Sequence, residues 1–394
     1  MHSVEDVRDA EALFVTDFSH IAQFNDPDQK RKHAPNVVGF FCYNNDTDKL
    51  KPVAIHVVDT KLTYSPYDTQ EEWTLAKMAL NAAEINYQQI HHMVETHMAF
   101  VPMKVEMMRT MAPEHPVHAL VAHHLFTDLS VQFNAGKMLF SPNTTLDNTF
   151  AFGAVGSLRF VAHDLPRVSF ADDFPAEVER RGWNKIPTHR YTAYGTQFYD
   201  LLKTFVDGYL SVYYASDVAV QRDFELQNWA KQTATNIDTY DFPESFESLE
   251  SLSKLLTHVV FQHAFKHHAM NGRVSWETIA LPYSAPAIWK EMPTFKTKHG
   301  KKHINLLEYV PPQSNIMDVM KVATMYYRPV PEEVTLLKAY RVAPFSQVTE
   351  LQPHVNEPEA GLRELDSFVV SNEATKDHPY DLLRPAALPY FAWI

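Results

Sequence analysis

Trp73-Thr74-Leu75-Ala76-Lys77 opens the stretch that decides the fold, followed by Tyr87-Gln88-Gln89-Ile90-His91-His92-Met93-Val94-Glu95-Thr96-His97, His115-Pro116 and His123-His124. Counted over His92, His97, His115 and His124, the spacing is H-x4-H-x17-H-x8-H, set in a run rich in Ala, Met, Leu and Val. Such a run predicts helix. In a regular α-helix, residues five apart stand about 140° apart around the axis. His92 and His97 then could not face one metal ion. A π-type turn between them would widen the helix and swing both onto nearly the same face, and such turns concentrate at functional sites. The pair is a metal motif only on a distorted helix.

Composition sets outer limits. The chain has 394 residues, 45% of them hydrophobic and 21% charged, with ten Gly, which predicts a compact, mostly helical protein. The formal charge is -13 with acids and bases interspersed, so no basic patch points to nucleic acid. One cysteine, Cys42, excludes an intramolecular disulfide and a CxxC metal site, and fits a reducing, cytoplasmic setting. The start MHSVEDVRDAEALF lacks a basic region followed by an apolar run, so no secretory signal is read there. No run approaches the ~18 uninterrupted apolar residues of a membrane span. Twenty-one histidines turn the reading toward metal.

Residues 1–35 read as polar loop. VVGFFCY, NNDTDK and LKPVAIHVVD, within residues 37–59, then read as a β-hairpin, two apolar β-branched runs about an Asn/Asp turn. Helical pattern runs from Glu71 to about Phe140, broken near Pro102 and at Pro113–Pro116. Residues 157–190 look irregular, and a second helical block starts near Tyr191. Within LSKLLTHVVFQHAFKHHAMNGRVSW a second cluster holds His258, His263, His267, His268 and Asn271. His267 and Asn271, four apart, share one face of an undistorted α-helix. The tail DHPYDLLRPAALPYFAWI stays apolar and aromatic to Ile394, where a frayed end would be polar. A buried terminus must satisfy its carboxylate, and a metal ion would do so.

Behind its W-x-x-A-K opening, the spaced histidine run resembles the histidine-rich helix of lipoxygenases, the non-haem iron dioxygenases of polyunsaturated fatty acids. His92 and His97 match the two histidines that bind iron there; an upstream family histidine is replaced by Tyr87, followed by Gln88. The hairpin segment Leu50-Lys51-Pro52-Val53-Ala54-Ile55, residues 206–217 (VDGYLSVYYASD) and Glu225-Leu226-Gln227-Asn228-Trp229 are also similar to that family. So is the tail, where Pro379-Tyr380 and Leu383-Arg384-Pro385 precede a terminal Ile.

The resemblance implies a mainly α fold, a lipoxygenase-like helical catalytic domain with a small β-hairpin region near the N-terminus. It implies one domain over 1–394, with 1–70 leading into a helical metal-binding body at 71–394. The implied ligands are His92, His97, His267, Asn271 and the α-carboxylate of Ile394. This nitrogen and oxygen set suits mononuclear iron, with manganese possible; His263 and His268 are read as residues that support the ligands or pack in the core, not as ligands. No catalytic side chain is implied beyond a metal-bound hydroxide. The implied reaction takes a hydrogen atom from a polyunsaturated fatty acid or related polyene, adds O2 and gives a hydroperoxide. Ala135 and Leu139 align with substrate-pocket positions, and Gln88 and Val274 complete that side of the site. Val274 stands where the family has a Gln that holds the Asn ligand, and Gly136 where it has an Arg. The chain is also shorter than typical members and shows no N-terminal β-sandwich. Two alternatives stay open: the same fold and metal with a different oxidative or isomerase reaction on a specialised metabolite, or a non-catalytic lipid-binding protein.

Overall fold

The computed structural model describes residue 8 and residues 11–44, 47, 49–237, 241–271, 283–297, 303–325, 329–377 and 379–393. It is mainly helical, with one antiparallel sheet. The longer helices, in chain order, are α1 (Gln70–Met93), α2 (Phe100–Thr110), α3 (Pro116–His124), α4 (Asp128–Met138), α5 (Gly153–Asp164) and α6 (Phe174–Arg181). They are followed by α7 (Arg190–Tyr213), α8 (Phe224–Asn236), α9 (Leu249–Phe261), α10 (Gln313–Met325) and α11 (Gln352–Glu373). The chain divides into two compact units, one of Met1–His91, Asn134–His163 and Val274–Tyr327, the other of His92–Phe133, Asp164–Arg273 and Arg328–Ile394.

In the first unit, β1 (Leu13–Phe18), β2 (Val37–Asn44), β3 (Lys49–Val57) and β4 (Leu62–Tyr64) form a sheet in that order. The expected hairpin is β2–β3, paired from Val37↔Val57 to Asn44↔Lys49. Its register slips between Phe40 and Phe41, which face Ala54 and Pro52. Val53 is the extra residue of a bulge beside a proline that has no N–H for the ladder. The strand β1 corrects the loop reading of residues 1–35: LFVTDF is a short outer strand without clean alternation, so its pattern carried little strand signal.

Thr69 and Glu72 cap α1 reciprocally: the Glu72 N–H donates to Thr69 Oγ1 at 3.3 Å and the Thr69 N–H to Glu72 Oε2 at 3.2 Å. Leu75, Ala76, Ala79, Ala82, Ala83, Asn86 and Ile90 are all fully buried, a stripe at helical spacing built largely from the best helix former. Asn86, polar within that stripe, donates to Ala82 O (2.7 Å) and Pro286 O (2.6 Å) and accepts from the Phe152 N–H (3.2 Å). Its bonds are what make the burial tolerable.

The second unit is built on a large aromatic core. Phe174, Phe198, Phe261 and Phe265 from α6, α7 and the α9 region are buried together, with Phe198–Phe265 centroids 4.7 Å apart. A Cβ at Gly195 would lie 2.6 Å from Phe174 Cζ, so α7 passes these rings only because that position has no side chain. Trp229 of α8 is fully buried and donates its Nε1–H to Met103 O of α2 at 3.1 Å. Within residues 157–190, α5 and α6 replace the expected irregular chain. Pro175 starts α6 behind Asp173, whose side chain accepts from the Ala176 N–H, so the proline marked a helix start. Pro102 likewise lies in the first turn of α2, where the missing N–H is tolerated.

Candidate metal centre

The H-x4-H requirement is met. Past His92 the helix opens into a π turn over Val94–Met98, closed by the Ala99 N–H on Val94 O at 3.1 Å, an i→i+5 bond. His92 and His97 are both fully buried. A second π turn, Gln262–Lys266, follows α9 and closes with the His267 N–H on Gln262 O. It leads into a five-residue helix, His267–Asn271.

These two turns bring three imidazoles together in the second unit. One nitrogen from each of His92, His97 and His267 lies within 4.8 Å of the other two. The rings stand edge to face, with centroids 5.7 Å apart for His92–His97, 5.9 Å for His92–His267 and 4.6 Å for His97–His267. Nε2 of His92, both nitrogens of His97 and Nε2 of His267 are buried atoms that make no hydrogen bond, although His92 is otherwise engaged. Burial, then the neighbouring imidazoles, holds His97 and His267 well below the ordinary histidine pKa, so both rings are neutral at pH 7. Neutral buried imidazoles with converging, unused nitrogens are donors for a divalent cation.

Surrounding groups hold the two turns that carry these rings. Thr96 Oγ1 donates to His92 O at 2.7 Å. Lys266, in the second π turn, donates to Glu95 Oε1 of the first at 2.6 Å and to Glu177 Oε2 of α6 at 2.8 Å. Burial works against the Lys266 charge, but the two carboxylates outweigh it and raise its pKa. Arg181 completes the cluster at 2.9 Å from Glu177. On the other side of His267, His268 Nδ1 lies 3.3 Å from His267 Nδ1, and its Nε2 donates to Phe391 O at 3.0 Å. The C-terminal tail is held at two more carbonyls, by His124 Nδ1 on Tyr390 O (2.5 Å) and Thr127 Oγ1 on Ala392 O (2.6 Å). Phe391 and Ala392 are buried, as expected for an apolar tail.

The remaining expected residues fall as follows. Asn271 is buried and sits one helical turn after His267. Ile394 and Val274 lie outside the described residues. Gln88, half-buried on α1, buried Ala135 on α4 and half-buried Leu139 belong to the first unit, not to the histidine group. His115 and His124 serve the fold. His115 caps α3, accepting from the Val117 N–H and donating to Asp223 at 2.9 Å, while His124 bonds Tyr340 Oη at 2.8 Å and the tail. His263 is fully buried against Asp128 at 3.0 Å and Val259 O at 2.8 Å.

A lipoxygenase family model matches residues 2–390. The chain belongs to the lipoxygenase family. It is 25% identical over 84% of its length to a manganese lipoxygenase of Colletotrichum gloeosporioides, covering 56% of that protein. It is 26% identical over 63% of its length to the human polyunsaturated fatty acid lipoxygenase ALOX15B, covering 38% of it. This lipoxygenase-family chain therefore spans about half the length, or less, of the curated relatives it matches. A solved manganese lipoxygenase superposes with a TM-score of 0.88 at 22% identity, over 99% of this chain and 72% of that one. A calcium-dependent 11R-lipoxygenase superposes at 0.90 and 21% identity, over 100% and 59%. At that identity these structures show the shared fold. Lipoxygenases use non-haem iron or manganese.

Sequence reading missed the second π turn and the Glu95–Lys266–Glu177 cluster. One signal was present: His263 and His268 repeat the H-x4-H spacing that called for the first turn.

Proposed function

We propose that this chain is a metal-dependent dioxygenase that inserts O2 into a polyunsaturated fatty acid or related polyene. The observation that carries it is the converging, fully buried trio His92, His97 and His267. In this reading Asn271 and the Ile394 carboxylate complete the ligand set, and residues 1–394 act as one catalytic domain. Three imidazoles with an amide oxygen and a carboxylate, without thiolate, fit iron or manganese. When bound, the metal supplies one-electron chemistry and an oxygen base for removing a bis-allylic hydrogen atom. The protein's part is to keep the imidazoles neutral, oriented and shielded from water. Burial keeps His97 and His267 neutral and shielded, His268 contacts the His267 ring, and Thr96 and the Lys266 cluster hold the turns that carry the ligands. Ala135, Leu139, Gln88 and Val274 are proposed on the substrate side. Among the described residues no helix is long and apolar enough to cross a membrane; a cytoplasmic setting, which the single half-buried Cys42 thiol fits, belongs to the proposal.

The test is oxygen uptake with linoleate by metal-loaded protein, followed with the conjugated-diene absorbance of the product. Both signals, abolished in His267→Ala, are the expected result. A metal-loaded protein that consumes no oxygen with linoleate, arachidonate or a carotenoid would move the reading to an isomerase or binding role on the same site.

A further inference from the structure

We propose that His268 is a positioning residue, whose hydrogen bonds to His267 and to the Phe391 carbonyl hold His267 in the tautomer with an open Nε2 lone pair. The inference rests on the metal reading above and extends it to a side chain outside the ligand set.

The proton positions follow from the partners. A carbonyl oxygen only accepts, so the 3.0 Å contact with Phe391 O places a proton on Nε2 of His268. The ring is buried, and among the described residues its hydrogen-bond partners are a carbonyl and another imidazole. The neutral form is therefore the one this site accommodates. Its Nδ1 is then a lone pair. His267 Nδ1, 3.3 Å away with the two rings perpendicular, supplies the proton between them. That leaves His267 without a proton on Nε2, the one buried nitrogen of that ring with no hydrogen-bond partner. A metal-ligating histidine is commonly oriented by a partner on its other ring nitrogen.

His124 shows that the tail sets tautomers in general here. Its Nδ1–H donates to Tyr390 O, so its Nε2 accepts from the Tyr340 hydroxyl. The tail is itself anchored by the Tyr390 N–H on Val334 O at 3.1 Å. Through His268, the seating of the tail and the orientation of His267 become one variable.

The experiment uses an isosteric pair, His268→Asn and His268→Leu, in the full chain. Asn offers an amide oxygen near the place of the lost Nδ1 and Leu offers none. Manganese(II) affinity is read from the electron paramagnetic resonance of the free ion, beside the Tm of each metal-free protein. The expected result is about 10–100-fold weaker binding in the Leu variant, with affinity largely restored in the Asn variant and similar metal-free Tm values. Wild-type affinity in the Leu variant overturns the proposal. Equal weakening in both variants, tracking an equal loss of metal-free Tm, overturns it as well, because the role is then packing alone. A wild-type protein that binds no manganese or iron overturns the metal reading itself, which the variants do not address.

Discussion

The two π turns share a sequence signature and differ in what they accomplish. Around Val94–Met98, His92 and His97 are five apart, and the widened helix brings both to the same cluster. Around Gln262–Lys266, His263 and His268 are also five apart, yet they reach Asp128 and Phe391 O and join no cluster with each other. Only His267, beside them, joins the trio. The spacing thus announces a local distortion of the helix. It does not announce the chemistry, which depends on where neighbouring groups already offer partners.

This difference can be broken most forcefully through the metal. Replacing His97 or His267 by Ala should abolish stoichiometric metal, whereas His263→Asn should lower stability and keep the metal, as read by elemental mass spectrometry of folded protein. The reverse pattern would mean that the second turn, not the first, builds the site. Next in size is the tie between the turns. Lys266→Met removes the cation that joins Glu95 to Glu177, leaving Glu177 its ion pair with Arg181, and should cost about 3 kcal/mol in denaturant unfolding. A double-mutant cycle with Glu95→Gln should show strong coupling; simple additivity would mean that the two turns are held independently.

His115, third in the histidine run, sharpens the contrast between ligand and structural histidines. Burial raises the pKa of its partner Asp223, but hydrogen bonds from His115, Tyr214 and the Leu226 N–H outweigh this and lower it to about 2 from 3.8. A depressed carboxylate pKa adds stability that is fully present above the unfolded value and lost as pH falls through the folded one. Stability should therefore drop by about 2 kcal/mol between roughly pH 4 and 2 on this account, and Asp223→Asn should flatten that limb without changing metal content. The smallest expected effect belongs to Thr96→Val, which removes the bond to His92 O inside the first turn. It should cost about 1 kcal/mol, and a change of several times that size would show that the turn depends on this hydroxyl.

Much of the site was legible because its constraints are local. The H-x4-H spacing at His92 and His97 requires a π turn if both are ligands, and the hairpin at residues 37–57 announces itself by β-branched runs about an Asn/Asp turn. What stayed hidden depends on distant partners. Lys266 reads as an ordinary helix cation until Glu95 and Glu177, 171 and 89 residues away, are seen around it. His268 acquires a role only through Phe391, 123 residues on. The strand Leu13–Phe18 was missed because a half-exposed outer strand needs little patterning beyond the partner it pairs with.

The central claim is that His92, His97 and His267 hold a metal ion. Elemental mass spectrometry on the untagged, purified protein tests it most directly. Close to one iron or manganese per chain is the predicted result, and a metal-free protein that takes up neither ion on anaerobic reconstitution would contradict it.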